Sequence, residues 1–141
     1  MTKSHIMIHH SLTKDSGTAS WAAIQTYHVA KKGWDDIGYH YGIENVLANY
    51  YALLGRPEHI PAAACYQDGM NRKAIHICCV GNFDEVDPPE SMLKVLVKRL
   101  VLPLMERYNI PKEGIVFHRE YAEYKSCPGS KFAKEMILER L

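Results

Sequence analysis

Ala74-Ile-His-Ile-Cys-Cys-Val80 is the stretch that decides the fold, because almost all of its residues are apolar and three are β-branched. A short run of this kind predicts a central strand that is buried on both faces of a sheet. Successive side chains of a strand point to opposite faces, so Cys78 and Cys79 would enter the protein interior from opposite sides. We therefore expect a sheet that is covered on both faces.

Shorter strand-like segments lie on either side of this central run. They cover His5–His10, residues 39–43, residues 50–54 and residues 114–118, each bounded by turn-forming residues. The second and third are predicted to pair antiparallel, joined by a connection over residues 44–49. With the central strand, these segments predict about five strands.

Three other segments have the apolar spacing of helices. One begins at Thr18 and ends at Gly33, a long one over residues 88–105 opens with two prolines, and a last one covers residues 132–141. Helices interspersed with strands indicate layers of helix and sheet. We predict an α/β fold with a central mixed β-sheet of about five strands flanked by about three helices.

Length and composition set the domain count and exclude some classes of partner. The chain has 141 residues, of which 47% are hydrophobic, so we expect one domain over residues 1–141. Seventeen basic residues oppose sixteen acidic ones, and no run of Lys or Arg exceeds the pair at 31–32, which argues against nucleic-acid binding. No apolar stretch approaches the roughly 18 residues that cross a bilayer.

The first residues and the cysteines indicate the cellular compartment in which the protein is made. Met1-Thr-Lys-Ser-His5 leads directly into a strand-like run, so we expect no secretory signal peptide and synthesis in the cytoplasm, with action on the cell wall following release. The cysteines lie at positions 65, 78, 79 and 127, and the middle pair belongs to the apolar run, which argues against a disulfide framework. Each thiol is then a candidate for core packing or for metal binding.

Two histidines and one cysteine form a candidate metal site. His9 and His118 each close a predicted strand, where open sheets tend to carry their chemistry, and Cys127 follows His118 across one loop. Two imidazoles and a thiolate suit zinc and leave a fourth position for water or substrate. Taken singly, a histidine at a strand end usually meets solvent and an isolated cysteine usually packs in the core. Spacing alone leaves both interpretations open.

A set of motifs in fixed order carries a family resemblance. They are Ile8-His-His-Ser-Leu-Thr13, residues 24–41 with the core Gly33-Trp-Asp-Asp-Ile-Gly-Tyr39, Gly55-Arg-Pro57, Gly69-Met-Asn71, Gly81-Asn-Phe83, and His118-Arg-Glu through Lys125-Ser-Cys-Pro-Gly129. In these motifs the chain resembles the N-acetylmuramoyl-L-alanine amidase family, which includes phage lysozyme-type endolysins and peptidoglycan recognition proteins.

The resemblance implies an activity and a role for five residues. His9, His118 and Cys127 match the zinc ligands, for one Zn²⁺ per chain, whereas Tyr39 matches the active-site tyrosine and Lys125 the catalytic lysine of the phage enzymes. The implied reaction is zinc-dependent hydrolysis of the amide bond between N-acetylmuramic acid and L-alanine, on peptidoglycan or a muropeptide. The hydroxyl and the ammonium group can both stabilise negative charge in the tetrahedral transition state.

Two other functions remain open at this point. Family members without the cysteine ligand bind peptidoglycan without cutting it, and the presence of Cys127 favours hydrolysis here. A regulatory interaction protein built on the same fold is the second alternative. The sequence does not separate phage lysis from wall recycling, intact sacculus from soluble muropeptide, or one oligomeric state from another.

Several neighbours of the site are assigned to structure. His28 is expected to be a core histidine, and Arg119 with Glu120 is expected to tie down the ligand loop. Tyr41 would share the face of Tyr39 if strand alternation holds. Many relatives carry a histidine in the groove wall, where this chain has residues 62–68, so Cys65 or Tyr66 takes that place.

Overall fold

The computed structural model describes residues 2–13 and 20–141 of the chain. Five strands within them form one mixed sheet in the order β3-β2-β4-β1-β5. The strands are β1 (His5–His10), β2 (Tyr41–Val46), β3 (Asn49–Leu54), β4 (Ala74–Cys79) and β5 (Ile115–Phe117). The predicted sheet of about five strands is confirmed.

The strand directions bring distant parts of the chain to one edge. β1 lies between β4 and β5 and runs parallel to both, and β2 is parallel to β4 but antiparallel to β3. Parallel strands end at the same edge of a sheet. The residues that follow β1 and β5 therefore lie side by side, although more than a hundred positions separate them.

Four helices are present in the described parts of the chain. They are α1 (Trp21–Thr26, continuing as a π-helical stretch over Tyr27–Lys31), α2 (Met70–Lys73), α3 (Glu90–Val95, then a π-helical stretch over Leu96–Val101, then Leu102–Tyr108) and α4 (Glu135–Leu138). The Ser20 hydroxyl caps α1 by accepting a hydrogen bond from the Ala23 N–H at 3.2 Å. Thr18, the predicted start of this helix, lies outside the described residues. Across residues 2–13 and 20–141, no helix has the length and apolarity needed to cross a bilayer.

The two faces of the sheet bury different side chains. One face packs against α3 and is lined by Ile6, Ile8, Ile75, Ile77 and Cys79. The other face bears the alternate residues of the same strands, Met7, His9, His76, Cys78 and Val116. We call these the helix face and the groove face. All six residues of β4 are buried, as its composition predicts.

The β2–β3 hairpin differs from the prediction. β2 covers Tyr41–Val46 instead of residues 39–43, and two residues rather than six connect it to β3. Leu47 and Ala48 form this turn with φ of 52° and 72°, and the Asn45 side-chain carbonyl accepts a hydrogen bond from the Ala48 N–H at 3.1 Å. Positive φ at both turn residues is typical of a type I′ hairpin, which sequences usually signal with Asn-Gly. That signal is absent here, so the predicted bounds of the strand and the connection were wrong, whereas the predicted antiparallel pairing is confirmed.

Three smaller expectations also need correction. Tyr41 packs with the helix-face core whereas Tyr39 packs with Trp21 on the groove face, so the alternation does not reach residue 39, which precedes β2. The terminal helix is limited to Glu135–Leu138. The short helix α2 was not predicted; it starts after Gly69, whose φ of 70° gives the left-handed conformation that glycine adopts without strain.

Candidate metal centre and groove

Three of the predicted site residues meet at the end of β1. The Nδ1 atom of His9 lies 3.2 Å from Nδ1 of His118 and 3.8 Å from Sγ of Cys127. The three donor atoms all lie within 4.8 Å of one another, and all three side chains are buried. The structure therefore brings the predicted ligand set together.

The spacing and chemistry of these atoms fit a zinc ion. Tetrahedral bonds of about 2.0–2.1 Å to nitrogen and about 2.3 Å to sulfur separate two nitrogens by about 3.3 Å and a nitrogen from a sulfur by about 3.6 Å. The distances at His9 are close to both values. The set contains no carboxylate, and borderline-soft N and S donors favour zinc over magnesium or calcium.

His118 is oriented by a tight turn directly after β5. The turn covers His118–Glu120, and its main-chain carbonyl at His118 accepts hydrogen bonds from the N–H groups of Tyr121 and Ala122 at 3.0 and 2.9 Å. The Glu120 carboxylate accepts the Phe117 N–H at 2.5 Å and contacts the Lys134 ammonium at 2.7 Å. These contacts hold the imidazole over the end of β1.

Hydrogen bonds from Arg119 and close packing at Gly129 hold the loop that carries Cys127. The Arg119 guanidinium donates to the carbonyls of Gly129 at 2.7 Å and Phe132 at 2.8 Å, and the Arg119 N–H donates to the Cys127 carbonyl at 2.9 Å. Gly129 has a φ of 127°, and a Cβ atom there would lie 2.4 Å from the Phe83 carbonyl carbon. Only glycine allows this close approach. The expected role of Arg119 in tying the ligand loop is confirmed.

Burial controls the protonation of the candidate ligands. Desolvation lowers the pKa of His9 well below its ordinary value and that of His118 to about 4, helped by nearby His76 and Lys125 respectively. Both imidazoles are neutral at pH 7 and keep a lone pair for a metal. Desolvation also raises the pKa of Cys127 to about 12, although the His10 N–H, 3.3 Å from its sulfur, acts in the opposite direction. The thiol therefore ionises when a cation replaces its proton.

The two predicted catalytic side chains differ in their surroundings. The Tyr39 ring is half-buried and lies 5.2 Å from the His9 ring. Burial, with the thiols of Cys78 and Cys127, raises the Tyr39 pKa well above its ordinary value, so the hydroxyl remains a proton donor. Lys125 is exposed, with Nζ 5.8 Å from the centre of the Tyr124 ring.

A groove of about 540 Å³ opens beside the candidate metal site. Tyr39, Lys125, His118 and Cys127 line it, and adjoining cavities extend it in two directions. Among the described residues, those lining the central groove include no Asp or Glu, whereas Lys32 and Lys125 both contribute positive charge. The groove thus suits a ligand that carries negative charge.

The predictions for other residues around the groove are confirmed only in part. His28 is buried and its Nδ1 accepts the Gly38 N–H at 3.0 Å, as expected for a core histidine, yet its ring also lines the groove. Cys65 is buried and hydrogen-bonds to the Gln67 side chain at 3.2 Å, whereas Tyr66 is exposed at the rim of an adjoining cavity.

Sequence analysis missed His76, which lies directly behind the metal centre. It is 0% exposed, and its Nδ1 lies 2.8 Å from Nε2 of His9. The signal was present in the sequence, because His76 is the one strongly polar residue in the apolar run that decides the fold. Its place on the groove face follows from the strand register.

The chain is similar in sequence and in fold to known proteins. The chain is 27% identical over 139 residues to peptidoglycan-recognition protein LB of Drosophila melanogaster, matching 94% of this chain and 57% of that protein. It is 27% identical over 127 residues to the endolysin of Klebsiella phage KP32, matching 89% of this chain and 80% of that one. The solved structure of the amidase LysC from Clostridium intestinale URNW superposes with a TM-score of 0.79 at 26% identity, covering 99% of this chain and 85% of LysC.

The family assignment comes from a match over most of the sequence. Residues 1–130 match the family described as N-acetylmuramoyl-L-alanine amidase, a range that contains the three converging donor residues, Tyr39 and Lys125. The mixed sheet and its helices are likewise those of the amidase and peptidoglycan recognition protein fold. The chain therefore belongs to the N-acetylmuramoyl-L-alanine amidase family.

Proposed function

We propose that residues 1–141 form one zinc-dependent catalytic domain that hydrolyses the amide bond between N-acetylmuramic acid and L-alanine in peptidoglycan or a muropeptide. The observation that carries the proposal is the convergence of His9 with His118 and Cys127, the last two of which line an open groove. Three protein ligands leave a coordination position open, which distinguishes catalytic from structural zinc sites.

Each side chain at this site has a defined task. His9, His118 and Cys127 would hold one Zn²⁺, which when bound supplies Lewis-acid and water-activating chemistry. Tyr39 presents a hydroxyl that stays protonated at neutral pH, so it can donate a hydrogen bond to the carbonyl oxygen as negative charge develops there. Lys125 brings positive charge to the same groove from the rim.

The charge of the groove supports a muropeptide as the substrate. Stem peptides of peptidoglycan carry carboxylates, and Lys32 and Lys125 face the groove with no acidic side chain among its described lining residues. Complementary charge steers such a ligand toward the site and fixes its orientation. The half-buried Trp34 lines the same groove and provides an apolar surface for the peptide.

Recognition without cleavage is the alternative to be separated from this proposal. It is favoured by the similarity to one relative, a peptidoglycan-recognition protein, of which this chain spans little more than half the length. A recognition module needs the groove but does not need an open metal position. Cys127 therefore distinguishes the two functions, because its loss removes the thiolate ligand and leaves most of the groove surface unchanged.

The test combines zinc content with product analysis on one sample. Purified wild type and Cys127→Ala are assayed for bound zinc, for binding of a defined muropeptide, and for a cleavage product with a free L-alanine amino group identified by mass spectrometry. We expect about one zinc per wild-type chain and cleavage by the wild type alone. Zinc-loaded wild type that binds the muropeptide without releasing a stem peptide would overturn the proposal in favour of recognition.

A further inference from the structure

A completely buried histidine lies behind the metal centre and has no part in the proposed reaction. His76 occupies the middle of β4, pairs in register with Met7 of β1, and points to the groove face beneath His9. Its side chain is 0% exposed, so it touches neither substrate nor solvent. A buried imidazole is costly unless both nitrogens have partners, and here both do.

The hydrogen bonds of His76 determine where its proton lies. Its Nε2 is 2.7 Å from the main-chain carbonyl of Met70, which can only accept, so Nε2 carries the hydrogen. The ring is neutral, because it is completely buried and no carboxylate is among its ring hydrogen-bond partners to offset the cost of a buried charge. Nδ1 of His76 is therefore an acceptor, and the His9 Nε2 at 2.8 Å must donate to it.

This order of protons leaves one nitrogen of His9 without hydrogen. A neutral imidazole carries one N–H, and that of His9 is used toward His76, so its Nδ1 presents a lone pair. Nδ1 is also the atom that faces His118 and Cys127. The nitrogen that the metal requires is the one that the hydrogen-bond chain leaves free.

The acceptor is itself held rigidly. The main-chain N–H of His76 donates to the ring Nδ1 of His40 at 3.0 Å, and the main-chain N–H of His40 donates to the main-chain carbonyl of His76 at 3.0 Å. His40 is fixed in turn, because its Nε2 donates to the Ile60 carbonyl at 2.8 Å. The strand, a second histidine and two main-chain carbonyls therefore define the position of the His76 ring.

We propose that His76 is a positioning residue that fixes the tautomer and ring orientation of His9, so that Nδ1 of His9 is preset to bind zinc. The inference rests on the proposed zinc site. Partners behind a ligating histidine set its tautomer and orientation, and removing one typically weakens metal affinity by about 10- to 100-fold. A histidine is the acceptor here, where a carboxylate or main-chain carbonyl is the more usual partner.

The test compares two substitutions that differ in one acceptor atom. In His76→Asn the side-chain carbonyl oxygen occupies the position of Nδ1 and can still accept from His9, whereas His76→Leu has a similar size and no acceptor. Ile75→Ala is the matched control, since it perturbs the same strand from the helix face and leaves the ring hydrogen bonds of His76 in place. Zinc dissociation constants are measured by chelator competition, and the free energy of unfolding is measured for each metal-free protein.

The expected order of affinities separates positioning from simple loss of stability. We expect zinc binding to weaken by about 10- to 100-fold in His76→Leu and by less than about threefold in His76→Asn and Ile75→Ala. Nitrogen NMR of the metal-free wild type should show hydrogen on Nε2 of His9 and none on Nδ1, a result that needs no variant to fold. Hydrogen on Nδ1, or unchanged zinc affinity in folded His76→Leu, would overturn the inference alone. Wild type that binds no zinc would overturn the proposed function as well.

Discussion

The helix face and the groove face of the sheet are built from alternate residues of the same strands, yet the groove face buries His9 and His76 among its apolar residues. Ile75, Ile77 and Cys79 of β4 pack against α3, whereas His76 and Cys78 between them face the groove side. The helix face is a continuous apolar layer. The groove face carries imidazoles, thiols and a phenol that are mostly buried.

This difference separates the source of stability from the source of chemistry. Apolar burial on the helix face contributes roughly 25 cal/mol for each Å² removed from water. The buried polar groups on the groove face contribute little to the free energy of unfolding unless each has a hydrogen-bond partner. Their proposed role is to bind a ligand. Substitutions on the helix face should therefore change folding, and substitutions on the groove face should change metal binding and turnover.

The largest effect is expected for the candidate thiolate ligand. Cys127→Ala should lower kcat/KM for muropeptide cleavage by at least about 10³-fold, because loss of the metal removes several kcal/mol of transition-state stabilisation. Zinc content and initial rates check this. Cys79→Ala is the matched control, since it removes the same thiol from the helix face of β4. Equal loss of activity in both variants would contradict the division between the faces.

The second effect concerns folding alone. Ile77→Ala creates a cavity in the fully buried helix-face core and should reduce the free energy of unfolding by about 2–5 kcal/mol. Denaturant titration measures the change. Under conditions where the variant is folded, its zinc affinity and kcat should match those of the wild type. A loss of zinc affinity larger than about tenfold would show that the two faces are not independent.

Tyr39→Phe should have an intermediate effect confined to turnover. Removing the hydroxyl takes away a donor to the developing negative charge, and we expect kcat to fall by about 10- to 100-fold with little change in KM. The phenyl ring keeps its packing beside His9, so zinc content should remain at the wild-type level. A rise in KM with unchanged kcat would instead assign Tyr39 to substrate binding.

The smallest expected effect is a pH-dependent change in stability at Glu58, which contacts residues beside the helix face. Burial acts to raise the pKa of Glu58, but hydrogen bonds from Arg107, Tyr108 and Tyr41 outweigh it and lower the pKa below its ordinary value. A carboxylate with a lowered folded pKa contributes stability above its unfolded pKa of about 4.3 and loses it as pH falls through the folded value. Glu58→Gln should therefore lower the free energy of unfolding by about 1 kcal/mol at pH 7 and by progressively less below about pH 4. Denaturant titration at several pH values measures this difference. A difference that does not vary with pH would contradict this account.

The helix face could be predicted from the sequence almost completely. Its residues recur at period two in His5–His10 and Ala74–Cys79 and at helical spacing in α3, and apolar periodicity is the strongest local signal in a sequence. The hairpin turn at Leu47 and Ala48 could not be predicted, because neither residue type favours positive φ. Tertiary contacts of the flanking strands impose that turn.

The groove face could be predicted only in part. Strand ends indicated His9 and His118, but the convergence of both with Cys127 depends on the parallel pairing of β1 with β5, which spacing along the chain does not specify. Spacing left the metal interpretation of all three residues open, whereas the family resemblance gave them the role of zinc ligands and supplied the roles of Tyr39 and Lys125; those roles remain predictions. His76 was read as part of an apolar strand, because its hydrogen-bond partners are distant in sequence.

X-ray absorption at the zinc edge tests the central claim most directly, because it identifies the atoms bound to the metal. The protein is loaded with one equivalent of Zn²⁺ at neutral pH, and wild type is compared with Cys127→Ala. We expect one sulfur at about 2.3 Å and nitrogen or oxygen neighbours at about 2.0–2.1 Å, with the sulfur absent from the variant. A wild-type spectrum without sulfur, or a protein that retains no zinc, would contradict a metal centre built from His9, His118 and Cys127.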